Sequence, residues 1–277
     1  MKKYELTSET KVINGLELHR IKAIESFGSV EKGELGGWIE SEKNLSQDEN
    51  AWVCGDAWVG ENAAVFENAR ICGNARIFGN ATISGNATVY NDSKVCGNAK
   101  VSGNAAVFEN ARICGNARIC GNARIFGNAT VCGDATVGWN ATVGGNATIS
   151  RNATVGGSAT ISGNATISGN ATVDGNAAVG GDAMISGDAM INEDANVRET
   201  ADFIVFKNWW SSGRYFTWTR SNNKWKVGCF YGSGEELIAK AYKDSAKSGR
   251  EYERVVRYVE SILKEENNDD EYNKGTY

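Results

Sequence analysis

The chain has 277 residues, room for one or two domains, with 33 glycines and no proline. Its net charge of −5 gives no general reason to expect nucleic acid or an anionic membrane as a partner. The start after Met1 is polar, so neither a signal peptide nor a membrane span is expected, and the seven cysteines form no Cys-x-x-Cys pair. These features favour a protein of the reducing cytoplasm, away from membranes.

Residues 1–50 are predicted to form a cap. Asn14-Gly15 lies between two strand-like arms, the usual signal for a β-hairpin. Ile39 and Leu45 lie six residues apart, and Val53 follows eight later, so they predict an irregular first coil ahead of a regular tract.

Residues 51–202 repeat one six-residue motif. Stepping by six from Val53 to Val197 gives 25 positions, all Val or Ile. The residue two places before each of these is Ala throughout, except for Ser93. Gly-Asn or Gly-Asp usually precedes this alanine. Ala and the aliphatic residue point to the same side of an extended strand, and Gly-Asn tolerates the left-handed backbone of a sharp corner. The period therefore predicts a parallel β-solenoid with a shared aliphatic interior.

This motif resembles that of the hexapeptide-repeat, left-handed β-helix family. The chain is similar to phage and gut-bacterial members of that family that are described as transferases or polymer-forming proteins. The resemblance implies three hexads per triangular coil, a left-handed path and frequent side-by-side trimers. Twenty-five hexads would then make about eight coils, or roughly 40 Å at about 4.8 Å per rung. The predicted fold is mainly β, with an N-terminal hairpin and a small C-terminal domain.

Residues 203–264 differ in composition and predict an aromatic ββαα domain. Two strand-like segments, 215–219 and 225–231, flank a polar turn, and two helices follow. Each helix is predicted to begin at a capping box, the first from Ser233 to Glu236 and the second from Ser248 to Glu251. Residues 265–277 are predicted to be a disordered acidic tail.

Counting by eighteen places three aromatic residues, Tyr90, Phe108 and Phe126, in one outward column. An exposed apolar patch of this kind usually marks a partner surface. We expect lateral homo-oligomerisation through it; the alternative is that a terminal domain covers the column.

The outward position before each aliphatic residue is often basic in the first half of the rod, on all three faces: Arg70, Arg76, Lys94, Lys100, Arg112, Arg118 and Arg124. The proposed ligand-binding residues among them are Arg70, Arg76, Lys94, Arg112, Arg118 and Arg124. They serve solubility, or they bind a nucleotide or another anionic small molecule between subunits, because guanidinium groups grip phosphate well.

No catalytic residue, cofactor or metal site is predicted. The resemblance implies a catalytic His and an extruded loop for acyltransferases, but the single histidine, His19, lies in the hairpin and the hexads carry no insertion. Cys96, Cys114 and Cys132 form a flat column with poor geometry for a metal. The leading hypothesis is a non-catalytic oligomeric scaffold of bacterial or phage origin. An anion-sequestering protein and an acyltransferase-like enzyme are the alternatives.

Overall fold

The computed structural model describes residues 2–210 and 213–274, with side chains described up to residue 266. The chain divides into two compact units, with the division after Thr200. This lies two residues before the predicted domain boundary.

The first unit is built on a parallel β-helix of 25 two-residue strands, β4 to β28, one every six residues. The strands form three parallel faces in which each strand pairs with the strand eighteen residues away. Face 1 contains Trp58–Val59, Arg76–Ile77, Lys94–Val95, Arg112–Ile113, Thr130–Val131, Thr148–Ile149, Thr166–Ile167 and Met184–Ile185. Face 2 contains Trp52–Val53, Arg70–Ile71, Thr88–Val89, Ala106–Val107, Arg124–Ile125, Thr142–Val143, Thr160–Ile161, Ala178–Val179 and Asn196–Val197. Face 3 contains Ala64–Val65, Thr82–Ile83, Lys100–Val101, Arg118–Ile119, Thr136–Val137, Thr154–Val155, Thr172–Val173 and Met190–Ile191.

The interior of this rod is filled by the two invariant positions of the repeat. From Ala51 to Val197, each alanine and each Val or Ile of the repeat is at most 1% exposed. Ser93, the exception in the alanine series, is also fully buried, and its hydroxyl donates to the carbonyl oxygen of Tyr90 at 2.8 Å. The predicted packed interior is confirmed along the whole repeat.

The corners are held by stacked asparagine amides. Asn50 donates from Nδ2 to Oδ1 of Asn68, and the same bond recurs at Asn68, Asn86, Asn104 and Asn122. Where Asp takes the corner, as at Asp92, Asp134, Asp182, Asp188 and Asp194, it accepts from the preceding Asn. An amide ladder satisfies one donor and one acceptor per rung, which fixes the register of the coils.

The N-terminal cap is the predicted hairpin followed by an irregular coil. Strands β1 (Tyr4–Ile13) and β2 (Leu16–Ala23) are antiparallel, and β2 pairs with β3 (Leu35–Ile39). β3 then pairs in parallel with the first strand of face 1, and Leu45 forms a bridge to Val65 after a short 3-10 helix (Glu42–Asn44). β3 and the Leu45 bridge add two strand positions to the 25 regular strands, so the rod has about nine turns.

The cap packs large side chains against the first coils of the rod. Leu18, Trp38 and Trp58 form a buried cluster against Phe78. Trp52 packs elsewhere, edge-on to Tyr4 at 6.4 Å and to Phe27 at 5.5 Å.

The second unit is an antiparallel sheet followed by two helices. After a 3-10 turn (Thr200–Asp202), β29 (Phe203–Lys207), β30 (Tyr215–Thr219), β31 (Lys224–Val227) and β32 (Phe230–Gly232) pair in order. The sequence predicted two strands here, and the structure has a sheet of four. One predicted arm, residues 225–231, breaks at Gly228, whose φ of +55° reverses the chain between β31 and β32.

Helices α1 (Gly234–Asp244) and α2 (Ala246–Lys274) complete this unit. The capping box at Ser233 and Glu236 is confirmed, with both hydrogen bonds formed. The capping box predicted at Ser248 and Glu251 is wrong, because α2 begins earlier, at Ala246, and the hydroxyl oxygen of Ser245 accepts from the backbone N–H of Ser248. The prediction of a disordered tail is wrong for residues 265–274, through which α2 continues. Glu265 and Glu266 are good helix formers, and Glu266 pairs with Arg220 at 2.7 Å. Residues 275–277 of that tail lie outside the described residues.

Candidate functional site

The aromatic column on face 2 is the most distinctive outward feature of the rod. The rings of Tyr90 and Phe108 stack with centroids 5.1 Å apart and 3° between planes, and those of Phe108 and Phe126 with 5.3 Å and 11°. All three are half-buried. Phe126 lies over Gly144, where an added Cβ would come within 2.6 Å of the ring, so the next rung leaves room for it. The structure therefore brings the three predicted interface residues together.

One basic residue lies beside this column. The guanidinium carbon of Arg124 lies 5.7 Å from the Phe108 ring centroid, a cation–π distance. The column thus offers a flat aromatic surface with a positive edge.

The six predicted ligand-binding residues do not form one cluster. Arg76, Lys94 and Arg112 occupy successive rungs of face 1, whereas Arg70 and Arg124 lie on face 2. Arg70 donates to the hydroxyl of Ser29. The last of the six, Arg118, lies on face 3.

Arg118 borders a shallow groove on face 3. The groove has a volume of about 380 Å³ and is lined by Lys100, Ser102, Arg118, Ile119, Cys120 and Thr136. Two cations, two hydroxyls and a thiol thus line one surface depression, a combination suited to an anion. Lys100 was not among the predicted ligand-binding residues.

The cysteines behave in two ways. Cys54 and Cys72, one rung apart on face 2 with Cα atoms 4.7 Å apart, are joined in a disulfide that the sequence analysis does not predict. Cys96, Cys114 and Cys132 are free thiols on face 1. Burial raises the pKa of Cys114 to about 11, and the neighbouring thiols of Cys132 and Cys96 add to this effect.

We expect the alkylation of Cys114 to require unusually alkaline solution. Only the thiolate reacts, so its rate with iodoacetamide should rise about tenfold per pH unit from about pH 8 and level off only near pH 11. Peptide mass spectrometry measures this rate, with the exposed Cys229 as an internal reference for reagent activity. A plateau near the ordinary thiol value of about 8.5 would contradict the buried, clustered setting of Cys114.

Three corner glutamates have a structural role that the sequence did not reveal. Glu61, Glu67 and Glu109 replace corner glycines at φ of +56°, +59° and +60°. Each carboxylate accepts from the backbone N–H of the glycine eighteen residues later, Glu109 from Gly127 at 2.7 Å. These acids therefore satisfy corner amides that the rung-to-rung ladder leaves unbonded. The available signal was the recurrence of Glu at corner-glycine positions, although Asn91, Trp139 and Arg151 also occupy such positions.

Replacing Glu109 by Ala should lower the free energy of unfolding by about 1 kcal/mol, because the charge-assisted bond to Gly127 is lost. Glu193→Ala is the matched control. Glu193 has the same left-handed backbone (φ +53°), but no bond to its carboxylate is found among the described residues. Urea unfolding monitored by circular dichroism should separate the two variants. Equal losses would show that the carboxylate bond contributes nothing.

No group of three or more His, Cys, Asp or Glu side chains suited to a metal occurs in the described part of the chain. His19 lies on β2, opposite Ile39 of β3. Between Trp52 and Val197, where every residue is described, each corner joins strands six residues apart and none carries an inserted loop. Neither of the two described helices has the length and apolar character that crossing a membrane requires.

Twenty-five hexads wound in three parallel faces around an aliphatic interior define a hexapeptide-repeat β-helix protein, and this chain is one. Within that class, five segments match the family model described as YdcK beta solenoid repeat: residues 69–83, 81–97, 117–133, 123–138 and 159–175. All five lie inside the tract of two-residue strands. No match was found among the curated proteins compared with the chain.

Solved structures that resemble the chain include two acyltransferases. LpxA from Acinetobacter baumannii has 14% identity and a TM-score of 0.29, over 56% of this chain and 71% of that one. The UDP-N-acetylglucosamine O-acyltransferase (LpxA) from Moraxella catarrhalis has 16% identity and a TM-score of 0.25, over 82% and 93%. At these scores the likeness carries no inference about activity.

Proposed function

We propose that the protein is a non-catalytic scaffold whose rods associate side by side through face 2. The observation that carries this proposal is the stacked column of Tyr90, Phe108 and Phe126. The interior of the rod is filled, so partners meet its outside. Aromatic residues are the side chains most enriched at protein interfaces.

A second copy of the chain is a suitable partner for this column. A flat β face matches another flat β face in shape, and the rungs repeat at the same spacing in every copy. The resemblance to hexapeptide-repeat proteins implies a trimer. Acyltransferase activity is not extended to this chain, because its one histidine lies in the hairpin rather than at a corner of the rod.

Sedimentation velocity of the full chain tests the association. We expect the wild-type protein to sediment as an oligomer and Phe108→Asp as a monomer, because a carboxylate in the centre of an apolar contact loses its hydration without a partner. Ser84→Asp, the same kind of change at the corresponding outward position of face 3, should leave the oligomer intact. A monomeric wild type, or a Phe108→Asp variant that sediments as the wild type does, would refute the proposal.

The groove on face 3 supports a second candidate function, the binding of an anionic small molecule. Lys100 and Arg118 supply the charge, and Ser102 and Thr136 supply hydroxyl donors. Calorimetric titration with ADP and with inorganic phosphate should give binding that Arg118→Gln weakens at least about tenfold, or about 1.4 kcal/mol. Arg112→Gln on face 1 is the control. Failure of both probes to bind would remove this candidate.

A further inference from the structure

A cleft separates the hairpin tip from the first coils of the rod. It has a volume of about 270 Å³. Lys11, Ile13 and Asn14 of the hairpin form one wall, and the opposite wall comes from face 1 and the adjoining corner. Asn14 and Gly15 make the turn of the hairpin at positive φ, +53° and +84°. Neither the aromatic column nor the groove on face 3 shares a residue with this cleft.

Charges of both signs face this cleft. Lys11 and Arg76 are the cations, and Asp56 and Asp92 the anions. None of the four takes part in an ion pair within the described residues. Asp92 accepts one hydrogen bond, from Asn74 at 3.0 Å, and this leaves its remaining acceptor capacity open. These opposite charges share one cleft but form no ion pair with each other. They can therefore each pair with the opposite charge of a ligand that carries both.

The ammonium group of Lys11 is held in place. Its Nζ lies 4.2 Å from the Trp38 ring centroid, and Trp38 is 5% exposed within the buried cluster under the hairpin. Burial lowers the pKa of Lys11 and the Arg20 guanidinium adds to this shift, whereas the Asp56 and Glu9 carboxylates oppose it. A cation that lies against an indole and forms no ion pair within the described residues can bind an anionic group.

We propose that this cleft binds a small zwitterion, an α- or ω-amino acid, with the ligand carboxylate at Lys11 and Arg76 and its ammonium at Asp56 and Asp92. The volume lies just under the roughly 300 Å³ at which pockets for drug-sized ligands begin, which suits a molecule of this size. Ligands of a single charge leave one pair of side chains desolvated without a partner and bind less well.

Isothermal titration of the full chain with a length series tests this proposal. The zwitterions are L-alanine, 4-aminobutyrate and 6-aminohexanoate, and the single-charge analogues are propionate and n-butylamine. We expect at least one zwitterion to bind with a Kd below about 1 mM and both analogues to bind at least about tenfold more weakly. The proposal is overturned if no zwitterion binds, or if an analogue binds as tightly as the best zwitterion.

The regular rod supplies matched variants. Arg76→Gln and Asp92→Asn should each weaken the best zwitterion at least about tenfold. Arg112→Gln changes the same column of face 1 two rungs further on, and Asp182→Asn changes the same corner, where it also accepts from an Asn; both lie outside the cleft lining. These controls should bind as the wild type does. All four residues are exposed, so the variants should fold, which circular dichroism verifies. Equal effects of the cleft and control variants would refute the cleft as the site.

Discussion

Val101→Asp should prevent the rod from folding. Val101 is fully buried and lies between Ile83 and Ile119 on face 3. Its surroundings are aliphatic side chains from the other faces, so a carboxylate there would lose its water and find no hydrogen-bond donor. Burying an unpaired charge costs several kcal/mol, a large part of the roughly 5–15 kcal/mol that stabilises a folded domain. Circular dichroism and limited proteolysis should show the loss of the ordered rod.

Ser102→Asp, one residue later, should fold as the wild type does. Neighbouring residues of a strand point to opposite sides, and Ser102 lies outside, in the groove with Lys100 and Arg118. Moving the same carboxylate by one position therefore changes the outcome from unfolded to folded. Native proteolytic resistance in Val101→Asp would mean that a polar opening reaches the interior of face 3, and the packed rod would be the wrong description.

The fold was predictable because one short period carries nearly all of it. Val or Ile every six residues, with Ala two places earlier, specifies the strand, its inward side and the corner. The second unit lacks such a period, and a local argument was less successful there. Residues 225–231 have strand-forming residues throughout, and only the positive φ of Gly228 shows that they form two strands. A single glycine inside an aromatic run does not distinguish a bulge from a chain reversal.

The outward columns were predictable from the same count of eighteen, so the alignment of Tyr90, Phe108 and Phe126 follows from the repeat. The contacts between individual outward side chains could not be predicted from this count. The position of Arg124 over Phe108 depends on rotamers, and a disulfide between Cys54 and Cys72 depends on the orientation of two Cβ atoms. The cleft beside the hairpin could not be predicted from the sequence either. Lys11 and Arg76 are 65 residues apart in sequence, and only the direction of the hairpin brings them to one cavity.

Asparagine at the corners was predicted as a turn former, and the structure adds a second reason for it. Its amide can both donate and accept, so it extends a ladder from rung to rung, as from Asn104 to Asn122. Aspartate accepts only, which explains why a ladder stops at Asp134 after Asn116. Sequence periodicity alone does not separate the left-handed tolerance of Asn from its capacity to stack.

Ala117→Leu should strongly destabilise the rod although it keeps an interior position apolar. Ala117 is fully buried in the interior, and every slot of its series holds Ala or, at residue 93, Ser. Three extra carbons there have no free space, and the coils above and below cannot separate without breaking their hydrogen bonds, such as that from Arg118 N to Ala135 O at 2.9 Å. Overpacking of this kind costs about 3 kcal/mol. Urea unfolding should show this loss relative to the wild type.

Ala117→Ser is the matched control, because the chain already carries Ser in this series. The hydroxyl of Ser93 donates to the carbonyl oxygen three residues earlier, and the same acceptor, the carbonyl of Cys114, lies three residues before Ala117. A buried hydroxyl with a partner costs little, so the Ser variant should lie within about 1 kcal/mol of the wild type. If Leu and Ser were tolerated equally, spare volume would exist beside Ala117. The near-invariance of alanine would then need a cause other than the narrow interior of the rod.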